Sequence, residues 1–306
     1  MSESFKGLIA MIATCTIWGL SSIFYKSLSH VPPLEVLAHR TIWSLVFFIL
    51  ILSAQRRLPA MIRAMQGRRA LAIIAFATLM ISANWFMFIW SVQSGHATEA
   101  ALGYYVFPLL AVLLGRIVFA ERLAPLQWLA VALAALGVSL LTYGLGTAPW
   151  VALSLAGSFS AYGLMKKQLD VGPVVSVSAE VLLLSPVAAL VLWQSHHSGA
   201  GHFGASTRDT LMLICAGPLT AVPLILFSYA ARRLTMATAG LLSYLNPTLQ
   251  FFCAVLLFAE PLTGWHMITF ALIWCALALY SASAFGQDRA RRRAVRAVAA
   301  SGTGVI

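Results

Sequence analysis

The chain has 306 residues, of which 60% are hydrophobic and 9% are charged, and its formal net charge is +11. A soluble globular domain carries about 25% charged residues, so this composition excludes a protein whose whole surface faces water. A net positive charge can indicate a nucleic-acid partner. Here, however, the basic residues lie between hydrophobic segments and near the C-terminus, which indicates membrane topology and contact with anionic lipid instead.

Ten apolar segments follow one another along the chain, each close to the roughly 20 residues needed to cross a bilayer. They predict an all-α polytopic membrane protein with ten transmembrane helices. The predicted spans are 7–28, 35–53, 70–93, 97–119, 123–143, 149–166, 174–194, 210–231, 236–258 and 264–285. Residues 54–69 are predicted as a short basic helix on the cytoplasmic membrane surface. Residues 286–306 are predicted as a basic, mostly disordered cytoplasmic tail that binds anionic headgroups.

The distribution of Lys and Arg predicts the orientation of the spans. If the N-terminus is cytoplasmic, 17 of the 20 Lys and Arg residues lie in or beside cytoplasmic connections, and only Lys26, Arg40 and Arg208 lie toward the other side. Short cytoplasmic loops are enriched in Lys and Arg. Both termini are therefore predicted to be cytoplasmic.

Two segments of the chain, 99–123 and 238–262, are copies of one stretch. They align without a gap at an offset of 139, with a Tyr, a Pro and the sequence Phe-Ala-Glu at matching positions. Each copy belongs to a set of five spans, and an odd number of spans starts the second set on the opposite side of the membrane. The sequence therefore predicts two inverted five-helix repeats, residues 1–143 and 149–285. This arrangement is typical of secondary transporters that bind substrate near the bilayer midplane.

Polar and aromatic residues at mid-bilayer depth indicate where a solute could bind, because each is costly in lipid unless it faces a cavity or a partner. A proline inside a span frees a backbone carbonyl that a neighbour, a water or a ligand must meet. The predicted cavity residues are Trp18, Asn84, Trp85, Tyr104, Tyr105, Tyr162, Tyr244 and Asn246, and the predicted helix kinks are at Pro108, Pro223 and Pro247. The deep aromatic residues fit either a packed core or a π-lined cavity for an aromatic or cationic solute.

Ionisable residues within the spans form two groups, one toward each face of the membrane. The outer group is Lys26, Glu35, His39, Arg40 and Glu99. The inner group is Lys166, Lys167, Glu180, Arg232 and Arg233, of which Lys166 and Glu180 are the candidates for a gate. Such residues either extend their charged ends to the membrane surface or mark gates and proton pathways. We predict two gates, with Glu35, His39, Glu99 and Glu180 as candidate proton carriers.

Motifs of soluble-type catalysis are absent from the sequence, which contains no HExxH, no phosphate-binding glycine loop and no GxSxG. No metal or cofactor site is predicted, and the histidines at 196, 197 and 202 are interpreted as part of a solvated outer loop. The alternatives to transport are a membrane-embedded lipid-modifying enzyme, which would need a nucleophile–base pair or a metal set, and a non-transporting assembly partner.

Several motifs together resemble a known family. They are Trp18-Gly19, Glu35-x3-His39-Arg40, Asn84-Trp85, the Glu-Ala-x-Leu-Gly-Tyr run at 99–104 and the two Phe-Ala-Glu sequences. They resemble the drug/metabolite transporter superfamily and, within it, the EamA-type carriers of the RarD subgroup, over about residues 5–285. The resemblance implies ten helices in two inverted repeats in a bacterial inner membrane. It also implies a central cavity lined by the first, third, fourth, sixth, eighth and ninth spans.

The predicted function is secondary active transport. The expected substrate is a small amphipathic metabolite or drug, either amino-acid-like or chloramphenicol-like. We expect export across the inner membrane by alternating access, with protons as a candidate coupling ion. A facilitative or exchange carrier without proton coupling is the alternative within the same class.

Overall fold

The structure is a computed structural model that describes residues 3–120 and 123–300, and within these residues it contains helices and no β-strand. Twelve α-helices follow one another along this part of the chain. They are α1 (Glu3–Ser27), α2 (Pro33–Ala54), α3 (Leu58–Ala64), α4 (Arg68–Gln93), α5 (Ala97–Phe119), α6 (Pro125–Leu145), α7 (Trp150–Lys166), α8 (Pro173–His197), α9 (Thr207–Ala231), α10 (Met236–Ser243), α11 (Leu245–Phe252) and α12 (Gly264–Ala300). A π-helical turn, Cys253–Leu257, follows α11.

Nine segments within the described residues are long and apolar enough to cross a membrane, and each has 20 to 26 residues. They are α1, α2, α4, α5, α6, α8, α9, the segment Thr238–Leu257 and the segment Gly264–Ser283 of α12. The remaining predicted span corresponds to α7, which is shorter at 17 residues. The prediction of a polytopic, all-helical membrane protein is thus confirmed. The tenth crossing and the inverted repeat stay predictions.

The two peripheral segments are helical over most of their described length. The short helix predicted within 54–69 is present as α3, which packs against α8. The last helix, α12, continues beyond the predicted span to Ala300 and includes most of the predicted basic tail, so the prediction of disorder there is wrong for residues 286–300. Residues 301–306 lie outside the described residues.

Prolines mark the starts of three helices. Pro33, Pro125 and Pro173 are the first residues of α2, α6 and α8. The first turn of an α-helix has no internal acceptor for its N–H groups, so the missing N–H of proline costs nothing there. These prolines fix where the chain re-enters a helix after each turn between neighbouring spans.

The prolines inside the spans have different effects. The ninth predicted span is divided at Tyr244 into α10 and α11, because Pro247 has no N–H for the carbonyl of Ser243. By contrast, α5 and α9 are each continuous as helices through Pro108 and Pro223. The two prolines at matching positions of the repeat therefore differ in effect: Pro108 lies within a continuous helix, and Pro247 follows a break between two helices.

Helices from the two halves of the sequence pack against one another. The pairs are α1 with α9 and α11, α2 with α8 and α9, α4 with α7, α5 with α7, and α6 with α12. At Gly103 of α5, an added Cβ would lie 2.8 Å from the Ala152 carbonyl oxygen of α7. At Gly19 of α1, it would lie 2.6 Å from Leu249 Cβ of α11. Glycine at these two positions lets the helices approach closely enough to enclose the polar residues between them.

Candidate functional site

A buried arginine lies inside the helical bundle. Arg40 follows the first residue of α2 by seven positions, which is about 10 Å along the helix. Its Nε donates a hydrogen bond to Thr220 Oγ1 of α9 at 2.7 Å. Its guanidinium carbon lies 4.2 Å from the Trp85 ring centroid and 5.8 Å from that of Tyr25. Only 6% of the residue is exposed.

Asn84 joins α4 to α5 and α7 through three hydrogen bonds. Its Nδ2 donates to the Leu155 carbonyl at 3.0 Å and to Ser158 Oγ at 3.1 Å, and its Oδ1 accepts from the Tyr104 hydroxyl at 2.9 Å. A buried amide must meet its polar atoms in this way. Three predicted cavity residues, Asn84, Trp85 and Tyr104, are thus brought together, with Trp85 in contact with the buried Arg40. The central cluster, as we define it, consists of Arg40, Asn84, Trp85, Tyr104 and Thr220.

A buried ion pair lies near the C-terminal end of α7. Lys166 Nζ is 2.6 Å from Glu180 Oε1 of α8 and also donates to Ser176 Oγ, which in turn donates to Glu180 Oε1 at 2.9 Å. The Tyr162 hydroxyl donates to Glu180 Oε2 at 3.1 Å. The α7–α8 cluster, as we define it, consists of Tyr162, Lys166, Ser176 and Glu180.

The side chain of Phe159 connects the two clusters. Its ring centroid lies 5.9 Å from that of Tyr104 and 6.0 Å from that of Tyr162, with which it stacks. Phe107, the residue before Pro108, lies 4.8 Å from the same ring. The central cluster, Phe159 and the α7–α8 cluster therefore form one continuous series of polar and aromatic side chains within the bundle.

The predicted outer group is spread over several contacts. Glu35 accepts a hydrogen bond from the backbone N–H of His202 at 2.7 Å, and its second oxygen lies 2.9 Å from His202 Nδ1. His39 stacks on Phe203 with ring centroids 4.8 Å apart. A cavity of about 380 Å³ borders Glu35, His39, Trp43 and Phe203. These contacts tie the segment between α8 and α9 to the start of α2. The interpretation of the three histidines as a solvated loop is wrong in part, because His196 and His197 are the last residues of α8 and His202 is bound to Glu35.

The other two members of the outer group have separate environments. Lys26 Nζ lies 5.5 Å from the Phe258 ring centroid, across from the end of the π-helical turn. Glu99 has a buried carboxylate oxygen, Oε2, with no hydrogen-bond partner among the described residues. The two side chains form no ion pair with each other within the described part of the chain.

The remaining predicted residues have contacts outside the central cluster. Tyr105 and Tyr244 line a second cavity of about 320 Å³ beside α12, where the Tyr105 hydroxyl and Thr248 Oγ1 are 2.7 Å apart. Trp18 contacts Phe227 of α9 with ring centroids 6.0 Å apart. Asn246 Oδ1 accepts a hydrogen bond of 3.0 Å from Gln250 Nε2.

Glu260 is a residue that sequence reasoning did not select for the site. Its carboxylate accepts hydrogen bonds from the backbone N–H groups of Ala97 and Thr98 at 2.8 Å and 2.7 Å, and from Thr98 Oγ1 at 2.7 Å. It thereby caps α5 from the other half of the chain. The repeated Phe-Ala-Glu sequence was the available signal for it. Thr220, the partner of Arg40, had no such signal.

Apolar helices that enclose a series of buried polar and aromatic side chains are the architecture of multi-pass membrane proteins that handle solutes. The model of the EamA-like transporter family matches residues 5–143. The chain is 39% identical over 290 residues to an uncharacterized transporter of Vibrio cholerae, covering 94% of this chain and 96% of the relative. It is 38% identical over 285 residues to protein RarD of Escherichia coli, with 93% and 96% covered. The chain belongs to the EamA-like transporter family, as a RarD-type membrane transporter.

The same fold occurs in a solved crystal structure. That structure matches 91% of this chain and 97% of its own chain with a TM-score of 0.60 and 20% sequence identity. At this identity the likeness concerns the fold alone. The resemblance to EamA-type and RarD carriers that the sequence motifs indicated is confirmed by the family match and by the RarD relatives.

Proposed function

We propose that the chain is a secondary transporter that exports a small amphipathic metabolite or drug, amino-acid-like or chloramphenicol-like, by alternating access. Its location would be the bacterial inner membrane, with both termini cytoplasmic. The basic residues of the cytoplasmic loops and of the predicted tail would contact anionic lipid. Protons are the candidate coupling ion, and a facilitative or exchange carrier is the alternative.

One observation carries the proposal. The series of side chains from Arg40 through Tyr104 and Phe159 to Glu180 lies between the helices of the bundle. These helices are otherwise long apolar segments. Desolvating so many polar groups is expensive, and membrane proteins concentrate them where a solute or an ion passes. A membrane protein that moves no solute or ion would be expected to have apolar side chains between these helices.

The packing of the helices supports the inverted repeat. The first five predicted spans are α1, α2, α4, α5 and α6, and the second five begin with α7. When the two sets are exchanged, the pair α1–α9 becomes α7–α4, and the pair α5–α7 becomes α11–α1. The pairs α2–α8 and α6–α12 become themselves. All of these pairs are in contact, as expected for a pseudo-two-fold relation between residues 1–143 and 149–285.

The duplicated Phe-Ala-Glu sequences give local support to the same relation. Ala120 and Ala259 both adopt left-handed backbone conformations, with φ of 53° and 52°, which non-glycine residues adopt rarely. Lys167 Nζ lies 5.8 Å from the Phe119 ring centroid, and Lys26 Nζ lies 5.5 Å from that of Phe258. The same kind of contact therefore accompanies each copy.

These paired contacts suggest where the gates would be. On the inner side the candidates are Lys166 and Glu180, which already form an ion pair. On the outer side they are Lys26, Glu35, His39 and Glu99, while Arg40 belongs to the central cluster. An ion pair that differs between two states by only 1–2 kcal/mol already changes their populations substantially. Glu35, His39, Glu99 and Glu180 are the proposed proton carriers.

The test is counterflow in proteoliposomes that contain the purified full chain. Vesicles are loaded with excess unlabelled chloramphenicol or phenylalanine, and entry of the labelled compound is followed with and without an imposed pH gradient. Transport predicts transient accumulation of label above the level in protein-free vesicles. It also predicts slower flux in Asn84→Leu, which leaves the hydroxyls of Tyr104 and Ser158 without their amide partner.

Two results would revise the proposal in different ways. Flux equal to that of protein-free vesicles for both compounds would contradict transport of these substrate classes. Counterflow that is insensitive to the pH gradient would favour the facilitative or exchange carrier over proton coupling.

A further inference from the structure

The guanidinium of Arg40 has unused hydrogen-bonding capacity. An arginine side chain offers five N–H donors, and in Arg40 only the Nε donor meets an acceptor within the described residues, Thr220 Oγ1 at 2.7 Å. The rings of Trp85 and Tyr25 contact the guanidinium through their π-faces, and they accept no hydrogen bond from its terminal nitrogens. The terminal nitrogens therefore have no protein acceptor in residues 3–120 and 123–300.

The charge of Arg40 is also without a counter-ion in that part of the chain. Three buried carboxylates are bound elsewhere: Glu35 by His202, Glu180 by Lys166, and Glu260 by the start of α5. Glu99, whose Oε2 has no hydrogen-bond partner, forms no ion pair with Arg40 within the described residues. Arg40 is 6% exposed as a residue, and a charge held in this way without an opposite charge is costly, because its desolvation is not offset. In a binding protein, this cost is removed when a ligand brings the missing anion.

Two contacts fix the orientation of this group. The hydrogen bond from Nε to Thr220 and the contact of the guanidinium carbon with the Trp85 ring, 4.2 Å from its centroid, hold the guanidinium between α4 and α9. The end that carries the two terminal nitrogens stays available. That end matches the two oxygens of a carboxylate, which accept two parallel N–H donors.

We propose that Arg40 is the anchor for a carboxylate on the transported substrate, held ready by Thr220 and Trp85. This inference rests on the proposed transport function and narrows its substrate class to monocarboxylates. The rings of Tyr25 and Trp85 contact the anchor, and Tyr104 is bound to Asn84 next to Trp85, so the favoured substrates carry a flat or aromatic group beside the carboxylate. A neutral amide leaves the guanidinium charge unbalanced, and an ammonium is repelled by it.

The test is thermal unfolding of the purified full chain with three probes that differ in charge but hardly in shape. They are 3-phenylpropionate, 3-phenylpropionamide and phenylethylammonium, each titrated at constant chloride. We expect only the carboxylate to raise Tm. In Arg40→Gln this rise is lost, while the ligand-free Tm stays equal or increases because an unbalanced buried charge has been removed.

Two further variants separate a binding role from a structural one. Thr220→Val keeps the Arg40 charge but removes the acceptor that orients it, so the half-saturating carboxylate concentration should rise roughly 2- to 10-fold. Arg233→Gln removes the same charge from a partly exposed ion pair with Glu3 and should leave the carboxylate response unchanged.

The outcomes that overturn the anchor are distinct from those that overturn transport. Stabilisation by the amide or the ammonium but not the carboxylate overturns it, and so does a full carboxylate response in Arg40→Gln. A fall in the ligand-free Tm of Arg40→Gln without any response of the native chain to carboxylate shows a structural arginine. An Arg40-dependent carboxylate response without flux in proteoliposomes keeps the anchor and contradicts the transporter.

Discussion

Two tyrosines that are neighbours in the sequence have different surroundings in the fold. Tyr104 donates to Asn84 in the central cluster, whereas the hydroxyl of Tyr105 meets Thr248 beside α12. Consecutive residues of a helix lie about 100° apart around its axis, so their side chains leave on different faces. Sequence reasoning grouped both with the cavity, because depth in the membrane is the same for both and the facing helix cannot be read from one span.

Removing one hydroxyl from each tyrosine tests this separation. Tyr104→Phe leaves Asn84 Oδ1 without its donor inside the bundle, and we expect a roughly 5- to 10-fold loss of transport rate, the equivalent of about 1 kcal/mol. Tyr105→Phe should lower Tm while the rate per folded protein stays close to native. Counterflow and thermal unfolding are measured on the same preparations. Equal losses of rate in both variants would contradict the separation.

The residues of the site differ in how far the sequence could predict them. Asn84 and Trp85 were predictable, because an amide and an indole at mid-bilayer depth each require a partner. Thr220 was not, since a threonine in an apolar helix commonly bonds the carbonyl four residues earlier, as Thr220 does with Ala216 at 3.1 Å. Its second role, as acceptor for Arg40, depends on how α2 and α9 pack.

At the scale of helices, the start of α5 depends on a residue far along the chain. Glu260 accepts two backbone N–H groups and one hydroxyl there, and it is almost completely buried. The first N–H groups of a helix lack internal acceptors, and a carboxylate at this end also interacts favourably with the helix dipole. The alignment of Glu260 with Glu121 was visible in the sequence. The groups that Glu260 binds were not visible, because they belong to a helix start 163 residues earlier in the chain. Glu121 itself lies outside the described residues.

Removal of this cap should destabilise the protein measurably. Glu260→Ala leaves buried donors unsatisfied, at a cost of about 2 kcal/mol. For a chain of this size the expected fall in Tm is about 3 °C. Glu3→Ala is the matched control, because it removes an exposed carboxylate from the first turn of α1 and should change Tm little. An unchanged Tm in Glu260→Ala would mean that these hydrogen bonds contribute nothing net.

For the whole molecule, the positions of the spans were predictable and their partners were not. Hydropathy sums over some 20 residues, so a single polar residue such as Arg40 does not hide a span. Partner choice depends on individual close contacts, such as those at Gly19 and Gly103, which no single span reveals. The division at Tyr244 beside an unbroken α5 shows the same limit, since both helices contain the repeated proline.

Cysteine labelling tests the proposed orientation of the bundle. In a background without the four native cysteines, Ala200→Cys should react with a membrane-impermeant maleimide in intact cells, because the segment between α8 and α9 is predicted to be outside. Ala60→Cys, within α3, should react only after the cells are opened. Labelling of Ala60→Cys in intact cells would contradict the cytoplasmic N-terminus and the inverted repeat built on it.

The cap on α5 also has a consequence for biogenesis. The ribosome makes Ala97 long before Glu260, which lies 163 residues later. At about 5–20 residues per second, the interval is roughly 10 to 30 s. During that time the first N–H groups of α5 lack the carboxylate that binds them in the folded protein. Their final partner exists only once the second half is made, so the start of α5 reaches its folded state after synthesis of the second half.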